Sequence, residues 1–166
     1  MGEKILTTGS LFTHDYVWGA IREDKLYQGL NIGEISAQLK LIYESFPNDK
    51  KPNEAKTEDD LIWPILDVLG WKYSSRQQNL SVKGRDDVPD GILFQDIKSK
   101  QKADNHQENW RAYEYGNVIV ESKRFGRSLD RSSSSANETI APSTQMIRYL
   151  RRVDDITEGK LRWGFL

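Results

Sequence analysis

Three β-branched residues, Val118-Ile119-Val120, run straight into Glu121-Ser122-Lys123, and that junction constrains the fold more than any other stretch. A run of this kind has the apolar character of a strand buried on both faces. Side chains alternate between faces along a strand, so Glu121 and Lys123, two apart, share one. A charge held there calls for a partner or an ion, because burial without either is costly. A second acid stands about thirty residues earlier. Asp90 follows Pro89 and the turn cluster Gly84-Arg85-Asp86-Asp87, and it opens Gly91-Ile92-Leu93-Phe94, an apolar run of strand length. Asp90, Glu121 and Lys123 together read as a hydrolytic metal site.

Composition narrows the chemistry. The chain has no cysteine, which removes disulfides, a thiolate nucleophile and cysteine zinc sites. His14 and His106 are its two histidines and both lie in polar sequence, so a Ser-His-Asp triad or a histidine metal centre has little to build from. Carboxylates and lysine remain, a set that suits a hard cation such as Mg²⁺, with Mn²⁺ as a substitute. Asp90 and Glu121 would bind it, with the carbonyl of Ser122 as a third oxygen. Lys123, kept protonated by the acids, would orient the attacking water or steady developing charge.

At 166 residues the chain fits one domain of ordinary size. No apolar run approaches the ~20 residues of a membrane span. Met1-Gly2-Glu3-Lys4 leads into no signal-peptide core, so a cytoplasmic location is expected. Net charge is −1, but its distribution is uneven. Residues 121–152 carry seven bases against three acids, whereas residues 1–60 carry eleven acids against seven bases. A basic side next to an acidic pair is what a phosphodiester ligand requires. Each position also has a plainer role. Asp90 could be a turn acid, Glu121 and Lys123 a strand-edge pair, and Glu58 a helix-dipole acid. Gln145 and Tyr149 could be an exposed i,i+4 pair, and Arg124, Arg127 and Arg131 a solvated loop.

Along the chain, Thr13 caps a predicted helix over His14–Arg22, and Asn31 with Glu34 forms a capping box before Ile35, Leu39, Ile42 and Phe46. Pro47-Asn48-Asp49 stops that helix. Thr57 is expected to cap a third, with Leu61, Ile62, Ile65, Leu66 and Leu69 as its core stripe and Pro64 as a kink. Strands are expected over Tyr73–Val82, Gly91–Phe94, Asn117–Glu121 and Leu161–Leu166. Asp96–Asn109 reads as a polar insertion, with helix continuing through Trp110–Tyr115, and Arg131–Glu138 as a mobile loop. A last helix, Thr144–Arg152, buries Met146, Ile147, Leu150 and Val153 and carries Gln145, Tyr149 and Arg152 as a separate polar stripe. A turn over Asp154–Gly159 follows. The order helix, three strands, helix, strand implies an α/β fold with a mixed sheet covered on both faces. A chain ending within an apolar strand suggests a longer polypeptide.

At these residues the sequence resembles the PD-(D/E)XK nuclease superfamily. Pro89-Asp90 … Glu121-Ser122-Lys123 looks like its signature, Glu58 matches the helical acid that often precedes it, and Gln145-Met146-Ile147-Arg148-Tyr149 resembles a Q-h-x-x-Y element. The wider pattern Thr57-Glu58-Asp59-Asp60 … Leu69-Gly70-Trp71 … Arg162-Trp163-Gly164 is similar to the N-terminal cleavage domain of type IIG and type I-like restriction–modification enzymes. The resemblance implies a restriction-endonuclease-like core over 57–166, with a four- to five-stranded mixed sheet flanked by helices, preceded by a helical extension over 1–56. It implies Mg²⁺-dependent cleavage of double-stranded DNA and a methyltransferase or specificity region in the same polypeptide. Glu58, Asp90, Glu121, Lys123 and Gln145 would be catalytic, and Arg124, Arg127, Tyr149 and Arg152 would contact DNA. The long insertion between Asp90 and Glu121 departs from the tight hairpin usual there. Competing readings are a repair or recombination nuclease of the same superfamily, and a DNA-binding domain that keeps only the fold.

Overall fold

The computed structural model describes residues 13–77, 79–81, 87–132 and 139–166. Most of the expected mobile loop, the turn residues 84–86 and Val82 lie outside them. The chain divides into two compact units, Met1–Ala37 and Gln38–Leu166.

The described residues of the first unit, 13–37, are mostly helical. Thr13 Oγ1 accepts the Tyr16 N–H (3.2 Å) at the start of α1, His14–Trp18. Gly19 interrupts the predicted helix, and the chain resumes as α2, Ala20–Glu23, and α3, Lys25–Gln28. Asp24 caps α3 by accepting the N–H groups of Leu26 (2.8 Å) and Tyr27 (3.1 Å). The fourth helix, α4 (Ile32–Ser45), begins in this unit and ends in the second. Asn31 Oδ1 accepts the Glu34 N–H, as the expected box requires, and Asn31 Nδ2 donates to Glu34 Oε2, each at 3.2 Å.

The second unit holds the sheet. A continuous helical stretch precedes it, made of α5 (Glu54–Thr57), a π-helical turn over Glu58–Ile62 and α6 (Trp63–Val68). The expected cap at Thr57 is displaced. Asn53 caps the helix by accepting the Lys56 N–H at 2.9 Å, so the helix starts one turn earlier and crosses position 57 unbroken. Thr57 lies inside it, and its hydroxyl donates to Asn53 O (2.8 Å) and accepts the Phe125 N–H (3.1 Å). Pro64 produces no break. A proline lacks the N–H that an α-turn would use, and the π-turn absorbs the mismatch, with Trp63 N–H reaching back to Glu58 O.

Four strands, β1 (Tyr73–Arg76), β2 (Gly91–Phe94), β3 (Val118–Val120) and β4 (Trp163–Phe165), lie side by side in chain order. β1 pairs antiparallel with β2, β2 antiparallel with β3, and β3 parallel with β4. The parallel step is bridged by α8, Pro142–Thr157, as parallel neighbours require a crossover. The fold is thus mixed α/β, a four-stranded mixed sheet flanked by helices. Strand parity sorts the core. Leu93, Val118 and Val120 pack with Trp63 and Leu66 of α6 on one face. Ile92, Phe94 and Ile119 pack with Met146, Tyr149 and Val153 of α8 on the other.

The predicted insertion is part of this second layer. Asp96 caps α7 (Ile97–Asp104) through the Ser99 N–H at 2.8 Å, and a 3₁₀ helix follows over Asn109–Tyr115. Ala103, Ala112 and Tyr113 of this segment are buried in the α8-side core, which explains how so polar a stretch stays ordered. α8 extends to Thr157, through the first residues of the expected turn, and ends on Glu158 in the left-handed region. Ile147 is 51% exposed and Tyr149 takes its place in the buried stripe. No described helix is long and apolar enough to cross a membrane.

Gly91 tests the packing of α6. A Cβ there would lie 2.5 Å from Trp63 Cη2, and Trp63 also supports the Arg76 guanidinium 4.6 Å above its ring. Gly91→Ala is expected to cost about 1–3 kcal/mol through overpacking. A urea midpoint equal to wild type would refute that contact.

Candidate active site

The register of β2 on β3 builds the site. Gly91 faces Val120, so one further step along both strands sets Asp90 opposite Glu121. Directly opposed residues of an antiparallel pair lie roughly 4.5–5.5 Å apart at Cβ. Parity carries Glu121, two beyond Ile119, to the α8 side, while the Asp90 carboxylate, just before β2, turns to Ser122 at the strand ends. The hairpin-like pairing survives the long segment between the two strands, because that segment folds onto the sheet instead of separating them.

Ser122 points to the other face, where the helix carrying Glu58 lies. Its N–H donates to Asp90 Oδ2 (2.7 Å), and its hydroxyl lies 2.8 Å from the same oxygen and 2.6 Å from Glu58 Oε1. One hydroxyl proton serves one carboxylate at a time, so two carboxylate oxygens meet around a single donor. Glu58 stands at the first position of the π-turn, and such turns recur at functional sites.

Glu121 is 3% exposed. Its Oε1 accepts from Lys123 Nζ at 2.5 Å, while its Oε2 is buried with no hydrogen-bond partner. Burial first, and then the charge of Asp90, push its carboxyl up to about 7, against the pull of Lys123. Burial alone would lower the Lys123 ammonium. The hydrogen bond it donates to Glu121 and the charges of Glu121, Glu54 and Asp90 outweigh it and hold Lys123 above its usual range. Lys123 is therefore a cation at neutral pH, a poor base and a good electrostatic group.

Glu54 is a site residue that the sequence reading missed. It sits one turn before Glu58 on the same helix face. Burial raises its carboxyl, the Lys123 charge opposes this, and Asp90 and Glu58 raise it further. The available signal was the Glu54-x-x-x-Glu58 spacing, hidden in a segment that reads as a polar connector.

α8 brings the remaining residues. Gln145 Nε2 donates to Tyr149 OH at 2.6 Å. Tyr149 is 3% exposed within the core, and burial and the Glu121 charge raise its hydroxyl against the Gln145 bond. It backs the acid cluster from inside and does not extend an outward-facing stripe. Arg152 is turned to a different task. Its Nη1 lies 2.7 Å from Asp87 Oδ2 and donates to Ser81 Oγ at 3.0 Å. Arg148 Nε joins it, 2.9 Å from Asp87 Oδ1. Two arginines of α8 thus clamp one buried aspartate three residues before Asp90. Arg124 is exposed, and its backbone N–H supports the Glu54 carboxylate. Arg127, which donates Nη1 to Ser128 O (2.8 Å), lines a cleft of about 360 Å³ with Glu54, Lys123, Thr139, Gln145 and Arg148.

Among the described residues no three histidine, aspartate or glutamate side chains converge closely enough to hold a metal ion. The carboxylates of Asp90 and Glu121 are the donors on offer, with an orphaned oxygen on Glu121. That set fits Mg²⁺, which takes one or two carboxylates and completes its shell with water and substrate oxygens. Compared with protein-family models, with curated proteins and with solved structures, the chain has no match.

Proposed function

We propose that the chain is a Mg²⁺-dependent DNA endonuclease domain of a restriction–modification enzyme, hydrolysing phosphodiester bonds in cytoplasmic double-stranded DNA. The observation that carries this reading is the meeting of the Asp90 and Glu58 carboxylates at Ser122, beside Glu121, whose Oε2 is buried without a hydrogen-bond donor. The topology supports it too. An acid-bearing helix, three antiparallel strands and a helical crossover to a parallel fourth strand fit the restriction-endonuclease-like core that the motifs imply.

In this reading Asp90, Glu121 and the Ser122 carbonyl hold the cation. When bound, Mg²⁺ supplies neutralisation of the scissile phosphate and a more acidic water. Lys123, fixed by Glu121, presents a full positive charge where negative charge grows on the phosphate. Glu58 and Ser122 keep the Asp90 carboxylate oriented through the shared hydroxyl. Gln145 and Tyr149 close the α8 side and limit water behind Glu121. A methyltransferase or specificity region in the same polypeptide would supply sequence recognition.

The test is cleavage of supercoiled plasmid in Mg²⁺, repeated in Mn²⁺. Wild-type protein is expected to nick or linearise the plasmid and Asp90→Ala to leave it intact. An Asp90→Ala protein that cuts at the wild-type rate would refute the assignment.

A further inference from the structure

The cleft beside the acid cluster has a composition that cation binding does not explain. Its charged lining is Lys123, Arg127 and Arg148 against one acid, Glu54, whose carboxylate already faces Lys123 and the Arg124 N–H. Arg148 comes from α8, and Arg127 and Lys123 from the segment after β3. Two separate parts of the chain therefore bring positive groups to one space. The cleft also opens onto the first turn of α8, which no side chain caps. Lys123 is shared: its ammonium is bonded to Glu121 and borders the cleft. A volume of about 360 Å³ is small for a ligand pocket but holds a phosphate with its sugar.

We propose that this cleft is a phosphate subsite, in which Lys123, Arg127 and Arg148 hold the DNA backbone phosphate next to the one being cleaved. The assignment rests on the nuclease reading and extends it. Arg148 contributes a half-exposed guanidinium that is ion-paired through Nε with Asp87, 2.9 Å away. The subsite would hold the strand in line with the acid cluster through contacts that carry no sequence information.

Binding separates this proposal from the chemistry. Affinity of the full chain for a fluorescent DNA duplex is measured in EDTA across a salt series, for wild type, Arg127→Ala, Arg148→Ala and Arg151→Ala. Arg151 is exposed on the same helix and borders a separate groove with Asp154 and Arg162. Arg127→Ala and Arg148→Ala should each bind about tenfold more weakly. Each should also lower the salt slope by about one phosphate contact, whereas Arg151→Ala should match wild type. Melting curves identify any variant that has lost its fold, and Arg127→Ala tests the subsite without disturbing Asp87. If wild type binds the duplex and neither cleft variant weakens it, the subsite is overturned and the nuclease reading stands. Equal losses in all three variants would also overturn it, since diffuse charge would then account for binding. A wild-type chain that binds no duplex at low salt would remove both readings.

Discussion

Glu121→Gln is expected to melt at a higher temperature than wild type at pH 8 while losing Mg²⁺-dependent cleavage by roughly a thousandfold or more, the several kcal/mol that a cation supplies to phosphoryl charge. Both effects have one origin. In the folded chain the Glu121 carboxyl titrates at about 7, against an ordinary value of 4.5. Between those values the folded chain binds more protons than the unfolded one. The stability tied to this group is therefore complete below the lower value and is lost as pH rises through the upper one. The difference corresponds to about 3 kcal/mol. Glutamine keeps the shape without the charge, so the slope of melting temperature between pH 5 and 8 should flatten. Mg²⁺ should raise the melting temperature of wild type at pH 8 and leave that of Glu121→Gln unchanged. A variant that keeps the wild-type pH profile and cuts plasmid would show that Glu121 is neither buried as a charge nor a ligand.

The Asp87 clamp should give the largest loss of stability, and an asymmetric one. Asp87 is 3% exposed, whereas the side chains of Arg148 and Arg152 are 47% and 46% exposed. Removing both arginines leaves a buried carboxylate without a cation, a defect worth about 3–5 kcal/mol. Removing the aspartate leaves two arginines that water can reach, and the cost should fall to about 1–2 kcal/mol. Urea denaturation of Arg148→Ala/Arg152→Ala against Asp87→Ala measures the difference. The opposite order would mean that Asp87 is hydrated in solution.

What the sequence made legible follows from local physics. The strands Gly91–Phe94 and Val118–Val120 declare themselves through unbroken apolar runs, and the parity that joins Glu121 to Lys123 is a property of any strand. The Asn31–Glu34 box needs four residues and no tertiary partner. The failures are all tertiary. Tyr149 has a polar tip that made it look like part of an outward stripe, yet its ring fills the space between Met146 and Val153. Asp87 sits in a turn-rich tetrad, and only α8, some sixty residues later, brings it two guanidinium groups. The segment from Ile97 to Tyr115 is mostly polar, and the few apolar groups that anchor it keep no simple period. Glu54 was lost because the cap was assigned to Thr57, one turn too late.

The π-turn after Glu58 has a consequence for how this helix is phased. An α-helix turns about 100° per residue, so the extra residue in a π-turn offsets whatever precedes it from whatever follows by roughly that angle. Glu54 and Glu58 belong to one phase and Trp63 and Leu66 to the other. In a regular helix the face that seats Trp63 and Leu66 on the sheet would carry the two acids round the axis, away from Ser122. The helix thus serves two masters at two angles, one hydrophobic and one ionic, and Pro64 fixes where it changes between them. Deleting one residue from 58–62 would make a more regular helix and dismantle the site.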